Sequence, residues 1–251
     1  MKKLQLRVFQ ALVIVMLALG SFALTSCNDD DDDAVPAVTV NGINYILNSD
    51  NTCTVTTGNY IGAVNIPGGI EYGERRYQVT RIGAKAFMAC TELTAVEIPN
   101  TVTYIDIHAF DGCKNLTAVN FPANLEFIGN FAFNGCSLTE VDLPDNVVSV
   151  GAYSFAGNQV KTLVMGTGLS KISWCAFKGC PIEVIYAYGS DSPVLDYYSE
   201  SDEWPFDASV LADGFLLVPS LFTDQEIGNY AFADGWHFFY DNDHMGFMPE
   251  N

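Results

Sequence analysis

The feature that most constrains this chain is a column of phenylalanines at nearly constant spacing. Phe87, Phe110, Phe133, Phe155 and Phe177 are separated by steps of 23, 23, 22 and 22 residues. Five positions before each stands an aliphatic residue: Ile82, Ile105, Ile128, Val150 and Ile172. Three positions after each come Cys90, Cys113, Cys136, Asn158 and Cys180. Short alternating runs follow: Leu93-x-x-Val96-x-Ile98, Leu116-x-x-Val119-x-Phe121, Leu138-x-x-Val141-x-Leu143, Val160-x-x-Leu163-x-Met165 and Ile182-x-x-Ile185-x-Ala187. Pro99, Pro122 and Pro144, with Gly166 in the fourth unit, close these runs. Self-similarity at this period marks a repeat architecture, in which each unit contacts only its neighbours.

Each column has a physical reading. Period-two alternation predicts a short strand with one buried face. Proline then ends the strand, because it has no N–H for a further ladder bond. The Ile-Gly-x-x-Ala-Phe segment must turn the chain back, and Gly83, Gly129 and Gly151 permit tight backbone geometry there. A unit of 22 residues cannot bury an apolar face by itself, but stacked units share a continuous core of Ile, Phe and Leu columns. The apolar content of 49% is enough to fill that core and excludes a disordered acidic chain.

The Leu-x-x-Leu-x-Leu runs, the Cys/Asn column and the 22–23-residue period resemble leucine-rich repeats, and the Ile-Gly-x-x-Ala-Phe-x-x-Cys unit resembles the BspA-like bacterial surface subfamily. That likeness implies an α/β-type leucine-rich-repeat solenoid, strand-rich with little regular helix. It implies a right-handed stack of about five to six units with a cap at each end. Residues 44–81 resemble the β-rich N-terminal cap, 82–187 the repeats, and 188–240 a degenerate last repeat and C-terminal cap, leaving 241–251 as a tail. The step from Phe177 to Phe206 is 29, so an enlarged sixth unit is expected through Trp204-Pro205-Phe206. For some members of the subfamily the resemblance implies adhesion or binding of host proteins.

Ahead of the repeats lies an address. Lys2, Lys3 and Arg7 precede an apolar run from Val8 to Leu24, the layout of a signal peptide over residues 1–26. Leu24-Thr25-Ser26-Cys27 resembles a bacterial lipobox, which implies cleavage before Cys27 and lipidation of its sulfur and new amine. One acyl chain holds only marginally, at about 0.8 kcal/mol per buried methylene, whereas three anchor firmly. Asn28 and the run Asp29–Asp33 then open a linker over 27–43. A run of like charge is a solvated spacer. A cysteine followed by acids also resembles the lipoprotein export signal of certain Gram-negative anaerobes. The expectation is an outer-membrane lipoprotein exposed at the cell surface.

Charge narrows the partners. The chain carries −19, and without its first 26 residues eight bases face 30 acids, giving −22. Such a surface repels phosphate backbones, so nucleic acid is excluded as a partner. It does not adhere to anionic lipid by charge either, which leaves the lipid anchor as the membrane contact.

The chemical groups give little support for catalysis. Cys90, Cys113, Cys136 and Cys180 share a column with Asn158, which predicts a small buried group making modest polar contacts. Parallel columns about 4.8 Å apart fit disulfides poorly, since these want Cβ atoms about 3.8 Å apart. Packed free thiols are favoured over disulfides, and disulfides over a metal. No cofactor is expected. His108, His237 and His244 stand in no His-Glu-x-x-His pattern, and Gly-x-Ser-x-Gly and P-loop motifs are missing from the sequence. No catalytic residue can be nominated and the chain is not read as an enzyme.

What remains is a binding surface. The outward positions of the strand runs are Ala95, Glu97, Ala118, Asn120, Glu140, Asp142, Thr162, Val164, Val184 and Tyr186, small or acidic with an apolar end. An extended solenoid face suits a macromolecule with a basic surface, bound by a monomer. The candidate contacts are Glu97, Glu140 and Asp142 for charge, with Tyr186, Tyr197 and Trp204 as anchors at the C-terminal end. His108, Phe131 and Tyr153 form one aromatic column and Tyr104 and Phe127 another. They either cover the core or offer rings to sugars, so a glycan-binding accessory lipoprotein stays open as the alternative, beside a structural envelope protein.

Overall fold

The computed structural model describes residues 37–188, 193–195 and 205–206, and the backbone of strands at 215–219, 236–240 and 244–249. The expected lipidation site Cys27 and the expected anchors Tyr197 and Trp204 lie outside the described residues. Residues Val35–Asn251 form a compact unit of their own.

The cap starts with β1 (Ala37–Val40), which falls in the stretch read as linker, and β2 (Ile43–Leu47). They form an antiparallel hairpin through Asn41 and Gly42, at φ 52° and 80°. An Asn-Gly pair with both φ positive is the two-residue turn whose twist matches the strands it joins. β3 (Thr52–Val55) pairs antiparallel to β2 and then parallel to β6 (Arg75–Ile82), so the cap changes from hairpin to parallel geometry at that strand. β4 (Gly62–Asn65) starts a separate ladder, and β5 (Gly69–Tyr72) folds back on β6.

Each turn then contributes a longer strand and a two-residue strand. These are β7 (Leu93–Glu97) and β8 (Tyr104–Ile105), β9 (Ala118–Asn120) and β10 (Phe127–Ile128), β11 (Glu140–Leu143) and β12 (Ser149–Val150). The next turns supply β13 (Thr162–Met165) and β14 (Lys171–Ile172), then β15 (Val184–Ala187) and β16 (Val194–Leu195). The two-residue strands extend β6 in one parallel ladder, β6-β8-β10-β12-β14-β16. The longer strands make a second side, and β17 (Phe215–Pro219), β18 (Trp236–Tyr240) and β19 (His244–Pro249) continue it. The chain is thus a strand-rich solenoid with no helix among the described residues. The narrow ladder is the part the sequence columns did not announce, because two residues are too few for a visible alternation.

The third side is the turn segment, and its backbone is unusual. Lys85, His108, Phe131, Tyr153 and Cys175 occupy one column at φ 55–58°, the left-handed region. Four residues on, Ala89, Gly112, Gly135, Gly157 and Gly179 are left-handed again, at φ 59–74°. A non-glycine residue there costs about 1–2 kcal/mol. The compensation is a third ladder: Phe110 and Gly112 donate N–H to the Ala132 and Asn134 carbonyls of the next turn at 2.7 and 2.8 Å. Phe133 and Gly135 repeat the pattern to Ser154 and Ala156 at 2.7 and 2.8 Å. At Gly129 the requirement is room instead, since a Cβ would lie 2.7 Å from the Asp106 carbonyl carbon.

Inside, Phe87, Phe110, Phe133, Phe155 and Phe177 are all fully buried. Their rings stack in sequence at centroid distances of 4.7, 4.8, 5.3 and 5.2 Å. Tyr60 extends the pile into the cap at 4.4 Å. Phe206 extends it at the other end at 5.4 Å from Phe177, whose N–H donates to the Pro205 carbonyl at 2.8 Å, so the sixth turn lies where the enlarged step implied. Each buried Phe contributes about 1.5–3 kcal/mol by area.

The cysteine column is one of hydrogen bonds. Cys113, Cys136 and Cys180 donate S–H to the Phe87, Phe110 and Phe155 carbonyls one turn back, at 2.9, 3.2 and 3.1 Å. Asn158 makes the same bond to the Phe133 carbonyl at 2.8 Å, adds the Phe155 carbonyl at 2.8 Å, and accepts from the Leu138 N–H at 3.0 Å. That shared bond explains why cysteine and asparagine exchange in this column. Cys53, Cys90, Cys113 and Cys136 are thiols outside any disulfide.

Candidate functional site

The longer strands place their side chains as the alternation predicts. Val96, Val141, Leu163 and Ile185 point into the core, while Glu97, Glu140 and Asp142 are exposed and Tyr186 is half-buried. Register sets the rows on the outer face. Ala95 pairs with Ala118 and Glu97 with Asn120 across β7 and β9. Glu140 pairs with Thr162 and Asp142 with Val164, which in turn pairs with Tyr186. Asp142 and Tyr186 therefore lie two ladder steps apart in one row, about 10 Å. Glu97 stands on a separate sheet, because β4-β7-β9 and β11-β13-β15-β17-β19-β18 are not joined.

The outer face thus carries the exposed acids Glu97, Glu140 and Asp142, a Lys161–Glu183 ion pair at 2.7 Å, and an apolar end at Val164, Val184 and Tyr186. Among the described residues no group of three or more His, Cys, Asp or Glu side chains could hold a metal ion.

The aromatic columns of the turn side are accounted for by one another. His108 stacks on Phe131 at 4.9 Å and 14°, and Phe131 on Tyr153 at 4.9 Å and 9°. Trp174 meets Tyr153 at 5.1 Å and 82°. Rings stacked along the solenoid axis turn their faces to each other and their edges outward, whereas packing against a sugar needs an open face. Tyr104 is covered in the same way: Phe127 lies at 5.2 Å and the Arg81 guanidinium at 4.3 Å over its ring. Arg81 is itself held by Asp106 through bonds of 2.6 and 2.7 Å. His108 Nδ1 lies 2.8 Å from Asp111 Oδ2, and Asn134 donates to the other Asp111 oxygen at 2.9 Å. That arrangement braces the turn ladder.

Cys53, Cys90 and Cys136 are poorly suited to reactivity. Burial pushes Cys53 up to about 11, and burial also raises Cys90. Cys136 is held well above the ordinary thiol range by its bond with Cys113 and by burial. A protonated, enclosed thiol is a weak nucleophile.

Comparison with known proteins agrees with the geometry. Residues 80–197 match the model of the BspA type leucine rich repeat region in six copies. A leucine-rich repeat protein of T. pallidum is 27% identical, covering 60% of this chain and 71% of that one, with a TM-score of 0.54. A leucine-rich repeat protein of Bacteroides ovatus is 24% identical with a TM-score of 0.50 and covers 61% of this chain. The chain spans about half the length of the Bacteroides ovatus protein, 49%. No curated protein matches. The stacked turns, the Phe spine and the Cys/Asn column agree with these matches, and residues 80–197 of this chain are a BspA type leucine-rich repeat region.

Proposed function

We propose that this chain is a non-enzymatic cell-surface lipoprotein that binds a macromolecular partner, in adhesion or host-protein interaction, through the outer face of its longer strands. The observation that carries this reading is the set of exposed acids Glu97, Glu140 and Asp142 on the outer face, where Lys161 is already paired with Glu183 at 2.7 Å. A long open surface offers area without a deep enclosure, which suits a macromolecule better than a small substrate. Its charge selects a basic partner and accelerates encounter. Tyr186, with Tyr197 and Trp204 of the following segment, supplies the apolar anchors that charge alone lacks. Attachment through Cys27 follows from the lipobox-like sequence, and outward display from the acidic run after it.

The test is a screen of residues 34–251 against immobilised matrix proteins and polysaccharides. Hits among proteins support the proposed role. Hits confined to polysaccharides transfer it to glycan binding, against the covered ring faces of the aromatic columns. A fragment silent on both fits a structural envelope protein. For attachment, Cys27→Ala should leave the precursor uncleaved or the protein unlipidated, and protease added to intact cells should digest the wild type.

A further inference from the structure

The strand side of the solenoid is open at one junction. Thr117 N–H donates to the Thr94 carbonyl at 3.1 Å, Lys161 N–H to Thr139 at 3.0 Å, and Glu183 N–H to Lys161 at 2.8 Å. The bond that would complete this series, Thr139 N–H to the Thr117 carbonyl, is missing among the described residues, and β9 and β11 do not pair.

Two sequence changes meet at that junction. Leucine follows cysteine by three residues at Cys90/Leu93 and Cys113/Leu116, but by two at Cys136/Leu138, so the third turn enters its strand one residue early. Beyond the strands, Asn100 Oδ1 accepts the Ala123 N–H at 3.0 Å and Asp145 Oδ1 accepts the Thr167 N–H at 2.9 Å. Ala123, between them in the column, has no side-chain acceptor to offer Asp145. Elsewhere the same two turns hold together. Ile105 pairs with Ile128, Phe110 stacks on Phe133, and Phe110 N–H reaches the Ala132 carbonyl at 2.7 Å. The Ser137 hydroxyl bonds the Lys114 carbonyl at 2.7 Å and the Asn146 amide bonds the Ala123 carbonyl at 2.9 Å, which close the two ends of the gap.

What is left is a slot of about 660 Å³ with Thr117 and Asn120 on one wall and Glu140 and Asp142 on the other. Phe121 lines it. Its column mates Ile98, Leu143 and Met165 are buried to 2%, 1% and 2% exposure, whereas Phe121 is only half-buried and packs edge-on to Phe133 and Phe155 at 5.4 and 6.0 Å.

We propose that this slot receives the side chain of an arginine or lysine from a protein partner. The alkyl stem packs on Phe121, and the charge is met by Glu140 and Asp142, two residues apart on one strand and so about 7 Å apart along it. The Thr117 carbonyl, released from its ladder bond, adds a neutral acceptor. A guanidinium, with five donors in a planar fork, satisfies such a spread of acceptors better than an ammonium does. The inference rests on the proposed reading of the outer face as the contact surface for a basic partner, and names where that partner is anchored.

The test uses full-length protein in detergent micelles, titrated with acetyl-arginine amide and with its uncharged isostere acetyl-citrulline amide. The backbone amides of Thr139 and Glu140 are followed by NMR. Saturable shifts with the arginine amide and none with the citrulline amide are expected. Affinity should fall at least fivefold in Glu140→Gln/Asp142→Asn. It should fall equally in a closed-ladder variant, with one glycine inserted after Ser137 together with Ala123→Asn, which keeps both carboxylates. Absence of saturation in the wild type overturns the proposal, and so does unchanged affinity in the carboxamide variant. Full affinity in the closed-ladder variant also overturns it, because charge without a slot then suffices. Poly-lysine, titrated in parallel at two salt concentrations, separates the two claims. If it binds in a salt-dependent way while the arginine amide fails, the slot falls and the acidic face stands; if neither binds, both fall.

Discussion

Ser154 sits in a column otherwise filled by Ala86, Ala109, Ala132 and Ala176, is fully buried, and its hydroxyl has no hydrogen-bond partner. Burying an unpaired hydroxyl costs about 1–3 kcal/mol. Ser154→Ala should therefore raise the unfolding free energy by about 1 kcal/mol, read from the urea midpoint at unchanged slope. Asn158 is the opposite case, with three buried backbone partners. Asn158→Ala should cost about 3 kcal/mol. Asn158→Cys should cost less than half of that, because a thiol keeps the bond to the Phe133 carbonyl. The buried thiols set a pH limit. The Cys53 thiol is raised from its ordinary 9.0 to about 11 in the fold, so the unfolded chain releases that proton first as pH rises. The contribution is intact below pH 9 and is lost as pH climbs through about 11, so stability should be level to about pH 8.5 and decline above it. Chemical denaturation at stepped pH measures this, and a rise in stability between pH 9 and 11 would contradict the burial argument.

At the scale of elements, the repeat strands and the ring spine were legible because each column uses one residue type at fixed spacing, and a stack needs little else. The turn ladder was not. Lys85, His108, Phe131, Tyr153 and Cys175 have no common preference for the left-handed region, and inter-turn hydrogen bonds override their local preferences. Ala89 shows the cost, since it is left-handed where the other turns have glycine. Ala89→Gly should stabilise by about 1 kcal/mol, checked by thermal melting. The gap between β9 and β11 was written in the sequence as the change in step from 23 to 22. It goes unseen until the missing residue is assigned to the loop between cysteine and leucine, just before the strand. The acids Glu97, Glu140 and Asp142 were legible from alternation alone, but their division between two sheets was not.

Over the whole molecule, charge is graded along the chain. Residues 37–85 hold Asp50, Glu71 and Glu74 against Arg75, Arg76, Arg81 and Lys85, while residues 189–251 hold 13 acids and no base. A chain tethered near its N-terminus, as proposed here, would carry its least acidic described end nearest the membrane. The segment with 13 acids would follow the repeats. Such a field speeds the approach of a basic partner and is screened beyond about 10 Å at 0.1 M salt. The acidic strand face is predicted to make the contact with the partner. The most direct measurement is the association rate and affinity of residues 34–251 for whichever immobilised protein the screen retains. Wild type and the Glu97→Gln/Glu140→Gln/Asp142→Asn variant are compared at 50 and 300 mM salt. The prediction is an association rate that falls with salt for the wild type, at least tenfold weaker binding by the variant, and little salt dependence left in it. A variant that binds as tightly as the wild type, with the same salt dependence, would contradict the account.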